Sequence, residues 1–122
     1  MQVYKNQHFL RRVRFAGAGF AAAWRSEHSL KFQCVALVCV LIALTVLRLE
    51  PVWWAVVTLT SCAVITAELF NTALEHLADH LHPDTHPQIR IVKDCAAAAV
   101  LVAALGALGV GAALTLHLLH RL

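Results

Sequence analysis

Glu68 to Asp79, twelve consecutive residues of this 122-residue chain, hold three carboxylates, an asparagine and a threonine within an otherwise apolar stretch. On a helix turning 100° per residue, Glu68, Asn71, Thr72, Glu75 and Asp79 share one narrow face, with offsets from Glu68 of 0, 3, 4, 7 and 11. Lys93 and Asp94 follow across a short loop, and Glu27 stands ahead of the first apolar run. These residue types suit phosphoryl transfer. Glu27, Glu75 and Asp79 offer the hard oxygen ligands that Mg²⁺ takes together with substrate phosphates. Lys93 would offset charge on the γ-phosphate of ATP, and Glu68 could accept a hydroxyl proton as general base.

The elements that must position these groups are helices in a membrane. Of the chain, 60% is apolar and 14% charged, far from the balance of a soluble domain. Three apolar runs, Leu30–Leu47, Val52 to about Leu81, and Cys95–Leu119, can each cross a ~30 Å hydrocarbon layer, which takes ~20 helical residues. Arg48-Leu49-Glu50-Pro51 predicts a tight reversal between the first two, and Trp53 and Trp54 stand where an interfacial aromatic belt would sit. The turn His82 to Pro87, stiffened by two prolines, brings Lys93 and Asp94 back beside Glu75 and Asp79.

Ahead of the spans, Arg11, Arg12 and Arg14 interleave with Val13, Phe15, Phe20 and Trp24, which predicts a basic amphipathic helix on the membrane surface. A cleavable leader fits less well, because the apolar run begins some thirty residues in. The expected fold class is therefore an all-α membrane protein of one domain, residues 1–122. It has a surface helix over about 5–26 and spans over about 28–48, 52–81 and 89–119. Six lysines and arginines precede or open the first span, including Lys5 and Lys31; one lies between spans one and two, two between spans two and three, and one follows. The positive-inside rule puts the amino terminus and the second loop in the cytoplasm, where ATP is, in a bacterial-type inner membrane. Cys34, Cys39, Cys62 and Cys95 read as small packing residues, and Ala96–Ala99 with Gly106, Gly109 and Gly111 would allow close helix approach.

Depth divides the polar stripe. Its eleven steps cover ~16 Å, so Asp79 lies near the surface and Glu68 well inside, where a lone carboxylate costs ~2.5 to 3.5 kcal/mol and needs a reason. No G-x-x-x-x-G-K-[ST], H-R-D or D-F-G pattern is present, and Gly17-Ala18-Gly19 is too short for a phosphate loop. Two other readings compete. His76 and His80, spaced i and i+4, with His82 and His86 nearby, could form a histidine metal site; alternatively the chain is a non-enzymatic assembly subunit.

The run Glu68, Asn71, Thr72, Ala73, Glu75, Asp79, followed by Lys93 and Asp94, resembles the motif of the small prokaryotic diacylglycerol kinase and undecaprenol kinase family. The likeness extends from Ala22-Ala23-Trp24 and Glu27 to Ala99-Val100-Leu101. It implies a homotrimer of three-span protomers with active sites shared between subunits, phosphorylating a lipid alcohol with Mg-ATP. By matching position, Glu27 and Glu75 would be the metal ligands and Glu68 the base. Asn71, Asp79, Lys93 and Asp94 would contact or support ATP alongside the two ligands, with Gly19 close to the nucleotide. The partners expected are a lipid alcohol, ATP, membrane lipids and further copies of the chain, and not nucleic acid. Asn71 to His76 and the loop ending at His86-Pro87 look like the undecaprenol branch, whereas Ser29 and Gln33 depart from the Asn and His of that branch.

Overall fold

The computed structural model describes residues 8–122, so Lys5 and the expected first turn of the surface helix lie outside the described residues. Four helices follow in order: α1 (Phe9–Ser26), α2 (His28–Val46), α3 (Pro51–Leu81) and α4 (Pro87–Leu119). The last three are each long and apolar enough to cross a membrane. Helices suit that setting because every backbone N–H and C=O is satisfied within the segment. Hydroxyls follow the same rule: Thr45, Thr60, Thr72 and Thr115 each donate to the carbonyl four residues back, at 2.7–2.9 Å.

In α1, Phe9, Val13, Phe20 and Trp24 fall within ~60° of arc, opposite Arg11, Arg14 and Arg25. Ala23, on a third face, is buried where α1 meets α2 and α3. A single extended residue, Glu27 (φ −111, ψ 113), ends α1 and caps α2, turning the chain from one helix into the next.

The α2–α3 reversal is a helix-ending motif built on Arg48. Leu49 N–H donates to Leu44 C=O at 3.1 Å and Arg48 N–H to Thr45 C=O at 3.2 Å, the paired bonds of a Schellman cap. Arg48 sits at the left-handed position, φ 49, which glycine ordinarily takes. The buried side chains of Leu44 and Leu49 meet Val57 there, with Trp53, Trp54 and Leu118 packed around them. This turn stops α2 at Val46, two residues short of the expected end. At the other loop, α4 starts two residues early, because Pro87 suits its first position and His86 Nδ1 accepts from Gln88 N–H at 3.2 Å.

Helix α3 is the spine. It packs against α2 on one side and α4 on the other, and α1 also reaches it. Much of the outer surface is large and apolar, with Phe70, Val102 and Leu108 each about two-thirds exposed, as lipid-facing or subunit-facing surface would be. With 31 and 33 residues, α3 and α4 run ~46 and ~50 Å, longer than the hydrocarbon layer, whereas the 19 residues of α2 just match it at ~28 Å. Because α2 and α3 share a level at the Arg48 turn, the surplus of α3 projects at its far end, where Asn71 to Leu81 lie.

Two substitutions test the turn. Arg48→Gly relieves the left-handed backbone and is expected to raise unfolding free energy by ~0.5–1 kcal/mol. Leu49→Ala empties the cluster and should cost ~2–4 kcal/mol. Thermal unfolding in detergent micelles reads both.

Candidate active site

The stripe on α3 faces inward with graded exposure. Glu68 (5% exposed) and Thr72 are buried, Asn71 and Glu75 are half-buried, and Asp79 is exposed. Each end is met by a different helix. At the deep end Gln33 of α2 donates from Nε2 to Glu68 Oε1 at 2.8 Å. At the outer end Lys93 of α4 pairs with Asp79. Between them Asn71 Nδ2 donates to Glu75 Oε1 at 3.2 Å, one helical turn on.

The Gln33–Glu68 bond fixes the register of two antiparallel helices. Six residues back from Gln33 is Glu27, and seven on from Glu68 is Glu75. At ~1.5 Å per helical residue the backbones of Glu27 and Glu75 therefore lie at similar heights. The Glu27 side chain makes no cap hydrogen bond to α2.

Asp94 does not join the stripe. It pairs instead with Arg90 at 3.8 Å on the exposed side of α4. Neighbours on a helix point ~100° apart, so Lys93 and Asp94 cannot both face α3. Gly19 lies on α1 with open space around the position a Cβ would occupy. The histidines of the α3–α4 end are spread out: His76 and His80 are exposed, and the His82 and His86 rings lie 5.5 Å apart. Among the described residues no three His, Cys, Asp or Glu side chains converge to hold a metal. A histidine metal site has no geometric support from this arrangement, and a cation at Glu27 and Glu75 would need further oxygens from a substrate.

The partner of Glu68 was missed from sequence. Gln33 interrupts the first apolar run, and a polar residue at the same depth as a buried acid across a hairpin is the signal that could have found it. Two buried oxygens near the site, Gln33 Oε1 and Asn71 Oδ1, have no partner among the described residues. A largely apolar cleft of ≈ 230 Å³ opens between α2, α3 and α4 beside Gln33, with Phe32, Val64, Ile65 and Val110 among its walls.

Three long apolar helices and a carboxylate stripe bracketed by a glutamine and a lysine define a membrane protein with a polar site at one end. The sequence pattern of the prokaryotic diacylglycerol kinase family matches residues 14–115, and the chain belongs to that family. It is similar to a diacylglycerol kinase of Synechocystis sp., 41% identical over 104 residues, covering 84% of this chain and 59% of that protein. An undecaprenol kinase of Bacillus subtilis is 33% identical over 94 residues, 77% of this chain and 76% of that one. A diacylglycerol kinase of Haemophilus influenzae is 27% identical over 97 residues, 79% and 81%. The chain thus spans about three-fifths of the length of the Synechocystis relative.

The Asp79–Lys93 pair is partly exposed, so its contribution is small. A double-mutant cycle with Asp79→Asn and Lys93→Met is expected to give a coupling of ~0.2–1 kcal/mol in thermal unfolding, shrinking as salt is added.

Proposed function

We propose that this protein phosphorylates a membrane lipid alcohol with Mg-ATP, working at the cytoplasmic face of a bacterial inner membrane. The carrying observation is the buried Glu68 carboxylate, held at one end of a polar stripe whose other end holds Lys93. That separation matches the two halves of the reaction. A lipid hydroxyl arrives from within the bilayer and the nucleotide from water. The names of the relatives, diacylglycerol kinase and undecaprenol kinase, support the same chemistry.

In this reading Glu68 takes the proton of the lipid hydroxyl. The lipid oxygen bonds to the γ-phosphorus of ATP as the bond to the bridging oxygen breaks, and ADP leaves with that electron pair. Lys93, now on Asp79, would move to the γ-phosphate, with Asp79 keeping it close until the nucleotide binds. The donor set fits Mg²⁺. One oxygen of Glu75 is engaged by Asn71, the Asn71 amide oxygen beside it is buried without a partner among the described residues, and Glu27 stands at a similar height, all hard oxygen donors. Glu27 and Glu75 would hold the ion, whose charge would offset that of the nucleotide phosphates. Gly19, where α1 offers no side chain, leaves room for the nucleotide, and Asp94 would support it from α4. The apolar cleft beside Gln33 suits a hydrocarbon chain whose hydroxyl reaches Glu68.

The whole chain, residues 1–122, works as one lipid kinase domain, and three copies form the active unit. A groove between α3 and α4, floored by Cys62, Ala63, Ala67, Ala96 and Ala99 and walled by larger residues such as Phe70, would admit a helix of another copy. The product is the lipid phosphate, phosphatidic acid from diacylglycerol or undecaprenyl phosphate from undecaprenol.

Purified protein in mixed micelles, given Mg-ATP with radiolabelled γ-phosphate and either diacylglycerol or undecaprenol, is expected to label one lipid or both. Labelling of neither refutes the proposal. Glu68→Gln, Glu75→Gln and Lys93→Ala should each lower kcat by ~10²-fold or more while the oligomer survives. His80→Ala and His82→Ala should keep wild-type rates; loss of activity in either would favour the histidine metal site.

A further inference from the structure

We propose that Gln33 is a positioning residue for Glu68, its amide serving the carboxyl in both protonation states of the catalytic cycle. The inference rests on the reading of Glu68 as general base. It starts from the one hydrogen bond that α2 makes to the stripe, Gln33 Nε2 to Glu68 Oε1 at 2.8 Å. An ionised carboxyl only accepts, so the amide must turn its NH₂ toward it. That orientation leaves Gln33 Oε1 buried with no partner among the described residues, an expensive arrangement that an apolar side chain would avoid.

The idle oxygen has a use once Glu68 has taken a proton. The carboxyl then carries an O–H, and what it needs from its neighbour is an acceptor. Turning the Gln33 amide about its last torsion, which is broad and roughly two-fold, exchanges Nε2 for Oε1 and supplies it. The oxygen left over in one state is the acceptor required in the other. Gln33 is uncharged throughout, so the pair changes only by the proton that the lipid O–H gives up. When Glu68 returns that proton to water, the amide turns back.

The nearby donors on α3 are already committed. The Thr72 hydroxyl donates to the Glu68 backbone carbonyl at 2.9 Å and Asn71 Nδ2 donates to Glu75, while Asn71 Oδ1 has no partner among the described residues. On the cleft wall Phe32, Val64 and Ile65 have neither donor nor acceptor, and the hydroxyls of Thr60 and Ser61 lie about two helical turns before Glu68 on α3. The donor that supports the Glu68 carboxylate therefore comes from α2.

Steady-state kinetics on Gln33→Met and Gln33→His, with Mg-ATP and diacylglycerol or undecaprenol in turn, test this. Methionine keeps the volume and removes both polar groups. It is expected to lower kcat by ~10–100-fold, with KM for ATP and for lipid within ~2-fold of wild type. Histidine carries one donor and one acceptor nitrogen and should hold kcat within ~5-fold of wild type. On a Glu68→Gln background neither change should alter the residual rate.

Gln33→Asn, which withdraws the amide by one methylene, carries the same expectation as methionine and serves if that variant does not fold. The inference is overturned by wild-type kcat in the methionine or asparagine variant, by a loss confined to KM, or by a histidine variant as impaired as methionine. Wild-type kcat in Glu68→Gln would instead overturn the general-base reading. A dead Glu68→Gln beside a fully active Gln33→Met would remove this inference alone.

Discussion

A carboxylate well inside an apolar helix has to be answered from a neighbouring element, and the hydrogen bond from Gln33 to Glu68 is that answer. It does more than offset the burial of one acid. With the short turn at Arg48 it sets how α2 and α3 are aligned along their length, and so brings Glu27 and Glu75 to similar heights. A slip of one residue would rotate the stripe ~100° away from α2 and leave Glu68 facing hydrocarbon. Register and charge burial therefore enforce each other.

The length of α3 then sorts the stripe by environment. Its first part is matched by α2 within the hydrocarbon thickness, and the remainder runs on beyond the start of α2. Buried Glu68 and Thr72, half-buried Asn71 and Glu75, and exposed Asp79 form a gradient along one helix face. The proposed division of labour, lipid hydroxyl at the deep end and nucleotide at the open end, uses that gradient directly. Mutual repulsion among the acids is limited because each has a separate partner: Gln33, Asn71 and Lys93.

The packing of the single chain is sparse. Its buried cluster of Leu44, Leu49 and Val57 lies by the α2–α3 turn, at the end opposite the site. There Trp53 rests on the His117 ring at 5.1 Å and Arg121 reaches Glu50 at 3.9 Å, tying α4 to the start of α3. At the site end the polar ties are joined by a few buried apolar residues, Ala23, Leu30, Ala78 and Ala96. The groove between α3 and α4 is the surface through which the proposed assembly would stiffen that end.

Apolar run lengths and a 3.6-residue polar period were enough to establish from sequence the membrane class, the three spans, the amphipathic α1 and the single face holding Glu68 to Asp79. These are local properties of consecutive residues, set by helix geometry and the thickness of a bilayer. The return of Lys93 to the acid stripe was also legible, because a short loop leaves few places for α4 to begin; its pairing with Asp79 came from the structure. Tertiary structure alone decided that Gln33 answers Glu68, that Asp94 turns away to Arg90, and that α2 stops early on a left-handed arginine. Each of these depends on the rotation and register of one helix against another. Those are set by which side chains fit across the interface, and a periodic pattern along one helix does not contain them.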